Sequence, residues 1–284
     1  MKTLRDYLKD AEEKKVAIGH FNISDSEGFK AVVETAQELN LPVIVGVSEG
    51  ERDFIGIEEV VAMVKVEQNK GFPVFLNADH TYSLEKVKIA IDSGFDSIIF
   101  DGAKLPLEEN IKITKECVEY RNNTNPKVLV EAEMGYIGQS SKILDSIPEG
   151  VSLLTQTKPE EAKRFVEETG IDLFAPSVGN IHGIVKSGEP DLNISLIKEI
   201  SEAVKIPLVL HGASGNSDED IRRSIEAGIR IVHINTEIRV AYREGVKEGI
   251  EGGEVAPYKF MAEGVEEMKK VIKVKLRLFN NFDA

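Results

Sequence analysis

Eight short runs rich in β-branched residues recur along the 284-residue chain, each followed by a longer segment of helical period. The runs are VAIGHF (16–21), PVIVGVS (42–48), PVFLNA (73–78), SIIFD (97–101), VLVEAE (128–133), DLFAPS (172–177), PLVLH (207–211) and RIVHIN (230–235). Strands separated by helices become parallel neighbours, because only a crossover of helical length can return the chain to the same end of a sheet. Eight such units have a closed solution, the (β/α)8 TIM barrel, in which the last strand pairs with the first and no edge is left open. The length exceeds the usual single core, yet barrels of this class reach it as one domain, so a single domain over 1–284 is expected. Helix starts are signalled by Ser24 or Asp25 before EGFKAVVETAQEL, Ser83 before LEKVKIAIDSG and Ser217 before DEDIRRSIEAG, with Gly228 ending that last run. The longest irregular stretch, 138–157 after the fifth strand, is expected to act as a lid, and the amphipathic run 258–279 to form a C-terminal helix.

Composition narrows the partners. Apolar residues make up 42% and charged residues 30%, without 18 consecutive apolar residues, so no membrane span is expected. The charged N-terminus MKTLRDYLKDAEEKK lacks the apolar run of a secretory signal, which points to the cytoplasm. A formal net charge of −14 argues against nucleic acid, whose binding rests on Lys and Arg displacing counterions. The single cysteine, Cys117, has no internal partner and is expected to be a helix residue without catalytic duty.

In a barrel, the loops after the strands surround one mouth, and the chemistry-bearing residues cluster at those strand ends. Three of five histidines sit there: His80 after strand three, His182 after strand six and His211 after strand seven. One histidine at a strand end is more often a hydrogen-bonded structural residue. Three converging imidazoles with an open position make a catalytic divalent-metal site, zinc above all. Glu133 is a candidate fourth ligand or an acceptor behind the ligands, and Asp79 is placed to exchange a proton with a metal-held substrate. The Gly212-Ala213-Ser214-Gly215 turn and Asn235-Thr236 suggest a phosphate pocket with backbone amides facing the mouth, with Arg239 and Lys186 as cationic candidates.

These residues resemble the class II, metal-dependent ketose-bisphosphate aldolases nearly end to end. The matching stretches are VGVSEGE around Ser48, NADH (77–80), FDGAKLPLEENIKITKE (100–116), VEAEMGYIG (130–138), APSVGNIHG (175–183), PLVLHGASG (207–215) and HINTE (233–237). The resemblance implies a TIM barrel, Zn2+ held by His80, His182 and His211, and Asp79 as the acid/base at the substrate C4 hydroxyl. It implies a ketose-phosphate pocket from Ser48, Gly183, Gly212, Ala213, Ser214, His233, Asn235 and Thr236. It further implies a small-molecule ketose phosphate as partner, zinc stabilisation of an enediolate, a monovalent cation (Na+ or K+) near the phosphate, and a homodimer or homotetramer.

The chain departs from the usual family pattern at three places. His233 stands where asparagine usually contacts substrate, Ala213 where a second glycine is common, and Gly138-Gln139-Ser140-Ser141 where fructose enzymes often carry a glutamate. The second proton-transfer group is therefore open among Tyr136, Asp145 and Glu149. Fructose 1,6-bisphosphate is the first expected substrate, with tagatose bisphosphate or another ketose phosphate as alternatives. A binding subunit without turnover is a further alternative. A metal-dependent hydrolase is disfavoured, since strand one carries only His20 rather than a His-x-His pair.

Overall fold

In the computed structural model, which describes residues 2–138, 142–149, 151, 155–186, 188 and 191–282, eight parallel strands close into a barrel. The barrel strands are β1 (Ile18–Asn22), β2 (Val43–Val47), β3 (Val74–Thr81), β4 (Ser97–Phe100), β5 (Leu129–Met134), β7 (Leu173–Pro176), β9 (Leu208–Leu210) and β10 (Ile229–Ile234). They pair in chain order, and β10 closes on β1 with Ile18 opposite Ile231 and His20 opposite His233. All eight expected strands form, within a residue or two of their expected limits except at the end of β3, which runs three residues further, to Thr81.

The side-chain period of two divides the interior into two storeys. Along β1 the inward series is Ile18, His20, Asn22; along β3 it is Phe75, Asn77, Asp79; along β5 it is Leu129, Glu131, Glu133. The first members join Ile44, Leu173, Val209 and Ile231 in an apolar lower layer. The upper members are polar and equally buried. Helix α1 (Leu4–Lys14) plugs the bottom: Thr3 and Asp6 form a capping box at its start, and Leu4, Leu8 and Ala11 face the lower layer. This helix is not among the elements expected from the sequence.

The outward residues of the strands meet the surrounding helices in the larger core. Asp25, Ser83 and Ser217 cap α2 (Ser26–Leu39), α5 (Leu84–Ser93) and α9 (Asp218–Ala227), each side chain accepting a backbone N–H, and Gly228 follows the end of α9. After β2 the chain forms α3 (Glu49–Ile55) and α4 (Ile57–Asn69), and α6 (Leu107–Thr124), α7 (Pro159–Thr169) and α8 (Ile194–Val204) lie after β4, β5 and β7. The expected C-terminal helix is α11 (Pro257–Phe279), packed on α10 (Thr236–Glu251) and α2.

Residues 138–157 are only partly described, and Gln139, Ser140 and Ser141 lie outside the described residues. Within this stretch β6 (Ile143–Leu144) pairs in parallel with β8 (Ile184–Val185), two residues beyond His182. The loop after β5 is thereby hydrogen-bonded to the loop after β7. Among the described residues, no helix is long and apolar enough to cross a membrane.

Candidate active site

Asp79 and His80 are adjacent, and a regular strand would send them to opposite faces. Pairing between β3 and β4 shifts register between Ala78 and Thr81, and His80 has φ of 37°, a left-handed conformation uncommon for a side chain of this size. This kink turns His80 to the mouth while Asp79 keeps its inward direction. Buried Arg52 holds the distortion: its guanidinium donates to the carbonyls of Val47 (2.7 Å) and Asp79 (3.2 Å) and to the Thr81 hydroxyl (3.0 Å).

The other two histidines are brought together by a close approach of loops. Gly212 has φ of 60°, and a Cβ there would stand 2.3 Å from the Ile181 carbonyl oxygen, so only glycine lets the β9 turn lie against the His182 backbone. Asn180 secures the contact by donating to the His211 carbonyl at 2.9 Å.

Ligand-capable atoms of His80, Glu133, His182 and His211 all lie within 4.8 Å of one another. His80 Nδ1 bonds Asp101 Oδ2 at 2.9 Å, leaving Nε2 for another partner. His211 Nε2 bonds Glu131 Oε1 at 2.8 Å; with the shared proton on Nε2, Nδ1 keeps its lone pair. His211 Nδ1, His182 Nε2 and Glu133 Oε2 are all buried without a hydrogen-bond partner. Buried polar atoms rarely go unpaired, and carboxylates orienting the far nitrogens of imidazoles are the usual support of metal ligands. The residues fit a divalent cation.

The electrostatics agree. Burial disfavours a proton on His80, but Asp79, Asp101 and Glu133 outweigh it and lift its pKa to about 10. Burial, then the charge on His80, pushes His182 and His211 down to about 3. Burial raises Glu131 to about 8 and Glu133 well above the usual carboxylate range. Asp79 is held below that range: burial opposes its charge, but His80, His20, His211 and a 2.9 Å bond from the Asn22 amide prevail. A negative field that draws a proton onto His80 also draws a cation.

Asp79, His80 and His182 line one cavity with Ser48, Gly183, Gly212, Ser214, His233, Asn235 and Thr236. The Ser214 hydroxyl accepts from the backbone N–H of Asn235 (3.3 Å) and Glu237 (3.4 Å), where α10 begins. Ser217, not Ser214, caps α9. The methyl of Ala213 is fully buried in the outer core and does not line the cavity, because the Gly212 turn directs it toward the helices.

Arg239 lines the mouth and is paired with Glu51. Lys186 instead bonds Asp145 at 2.7 Å, both exposed beside the β6–β8 pair and away from the cavity. Tyr136 and Glu149 do not line it either; Tyr82 and Lys142, unmarked in the sequence, do. Two further residues stand outside those expected from the sequence: Asn22, which bridges Asp79 and Glu51, and Glu51, which accepts from the Ser48 amide and hydroxyl. His20 lies deeper and stacks on His233. The alternation His20-Phe21-Asn22 was the available signal, since β1 must send every second residue inward.

A family model described as fructose-bisphosphate aldolase class-II matches residues 2–284. The chain belongs to the class II fructose-bisphosphate aldolase family. Fructose-bisphosphate aldolase of Staphylococcus epidermidis is 38% identical over 283 residues, covering 98% of this chain and 96% of that one. The Geobacillus stearothermophilus enzyme of the same name is 37% identical with the same coverage. Among solved structures, the YdjI aldolase from Escherichia coli K12 superposes with a TM-score of 0.83 at 32% identity, covering 98% of this chain and 97% of that one. The polar upper storey of this class II aldolase thus sits on the barrel its relatives share.

Proposed function

We propose that the chain is a zinc-dependent aldolase that reversibly cleaves a ketose 1,6-bisphosphate, fructose 1,6-bisphosphate first, to dihydroxyacetone phosphate and glyceraldehyde 3-phosphate. The observation that carries this reading is the cage of His80, His182, His211 and Glu133, with unpartnered buried atoms on three of them. A divalent ion held by these four residues would supply a Lewis acid for the ketose carbonyl and would offset the negative charge left when the C3–C4 bond breaks.

The protein's own groups do the rest. Asp79, kept ionised and with Oδ1 unpartnered, takes the C4 hydroxyl proton, so that C4 leaves as an aldehyde and the bonding electron pair remains with C3, which takes up a proton from a second group to give dihydroxyacetone phosphate. Asn22 fixes the other carboxylate oxygen and thus the direction in which Asp79 presents its base. Gly183, Gly212, Ser214, Asn235 and Thr236 offer close backbone approach and the amino end of α10 to a phosphate. A Na+ or K+ ion beside that phosphate is part of the same reading. The apolar side chains of Ile250, Val255 and Tyr258, exposed around the turn between α10 and α11, support assembly into a homodimer or homotetramer, which sedimentation tests.

The imidazole of His233, bulkier than the usual asparagine, favours one second reading, preference for the C4 epimer tagatose 1,6-bisphosphate. The test of the main reading is His182→Ala. Because His182 Nε2 makes no protein hydrogen bond, its removal should spare the fold while zinc content drops to trace and dihydroxyacetone phosphate release is lost. Full cleavage by zinc-free H182A protein would overturn the proposal.

A further inference from the structure

His233 is held by a second histidine that does not reach the cavity. The rings of His20 and His233 stack at 3.5 Å between centroids with planes 3° apart, and the other side of His233 meets His211 at 4.0 Å and 31°. His233 is therefore clamped between two rings and has no freedom to turn. His20 is fixed in its turn: Nε2 lies 3.2 Å from Asn77 Oδ1, and the Asn77 amide donates to Ser97 Oγ at 2.8 Å. With Nε2–H as the donor, the tautomer of His20 is set by a chain of contacts running through β1, β3 and β4.

Room for this arrangement comes from Gly46 on β2, where a Cβ would stand 2.1 Å from His20 Cε1. Parallel rings carry their nitrogen lone pairs in separate parallel planes, so His20 and His233 cannot both aim at one ion, and the pair is not a second metal site. What the clamp does fix is the edge that His233 presents to the cavity, with Nδ1 3.7 Å from Asp79 Oδ1. Asp79 Oδ1 is the oxygen assigned above to the C4 hydroxyl, so His233 borders the carbon at which epimeric sugars differ.

We propose that His233 is the residue that determines which C4 configuration is accepted, and that His20 is a positioning residue that acts on specificity only through His233. This rests on the aldolase reading. An asparagine at this position would be shorter and free to rotate its amide, with no ring for His20 to hold. The two histidines and Gly46 therefore form one device: the ring at 233 narrows the cavity, the ring at 20 fixes its plane, and the missing side chain at 46 admits the ring at 20.

The experiment is the ratio of kcat/KM for fructose 1,6-bisphosphate over tagatose 1,6-bisphosphate, measured with zinc-loaded wild-type, H233N, H20A, H20F and H20A/H233N proteins. Both sugars meet the same enzyme preparation, so folding yield and metal occupancy cancel in the ratio. H233N should shift the ratio by about tenfold or more, the scale on which one pocket group discriminates between substrates. H20A should shift it by about threefold to tenfold in the same direction, H20F should restore it by supplying a ring of similar width, and the double variant should match H233N alone. An unchanged ratio in H233N or H20A, or additive shifts in the double variant, would overturn the proposal while leaving the aldolase reading intact. Wild-type protein that cleaves neither sugar would overturn the aldolase reading and this proposal with it.

Discussion

Asp79 and His80 take different directions from adjacent positions because the β3 kink separates them, one carboxylate inward and one imidazole to the mouth. Replacing Asp79 by Asn keeps the shape and the contact with Asn22 while removing the base. Turnover should fall by about 10²–10⁴, with zinc content unchanged, as general base catalysis is worth about that much. Elemental analysis beside the kinetic assay checks both halves. Retained turnover would move the proton-transfer role elsewhere. At this scale His80, His182 and His211 were legible because polar residues directly after apolar strand runs stand out. His20, Glu131 and Arg52 were less so: the first two lie inside strands where parity alone marks them, and a buried arginine pinning carbonyls looks in sequence like any surface cation.

Asp96 shows how elements are joined. Its carboxylate accepts from the Leu76 N–H of β3 at 2.8 Å and from Gln68 of α4 at 3.2 Å, while its main chain bonds Leu76 and Leu129. Burial raises its pKa from 3.8 to about 6, more than these donors lower it. The folded state therefore holds a proton between about pH 4 and 6 that the unfolded chain has shed. The stability this contributes is full below the unfolded value and lost as pH rises through about 6, a change of about 3 kcal/mol. Asp96→Asn should be more stable than wild type at pH 8 and should show a flatter pH profile of chemical denaturation between pH 4 and 7. An unaltered profile would contradict this account. The eight strands and the caps at Asp25, Ser83 and Ser217 were readable because their patterns are local. Helix α1 was readable but passed over, since Leu4, Leu8 and Ala11 recur at helical spacing within a highly charged run. The β6–β8 pair, two residues a side, carries no periodicity to read.

For the whole molecule, the two-storey interior links stability to function. An apolar lower layer closed by α1 provides the packing, and a polar upper layer, too costly to bury unpaired, gathers His80, Glu133, His182 and His211, where a bound cation would offset that cost. The charge of −14 is not spread evenly, since Lys142, Arg239 and the amino end of α10 line the mouth where an anionic sugar would bind. The barrel was legible from the alternation of runs, whereas the preference between C4 epimers depends on ring contacts such as the 3.5 Å stack of His20 on His233, which spacing along the chain does not encode. The most direct test of the central claim is dihydroxyacetone phosphate release from fructose 1,6-bisphosphate by metal-analysed protein, before chelation, after chelation and after zinc is restored. The account predicts release that disappears with the zinc and returns with it; undiminished release from zinc-free protein would contradict it.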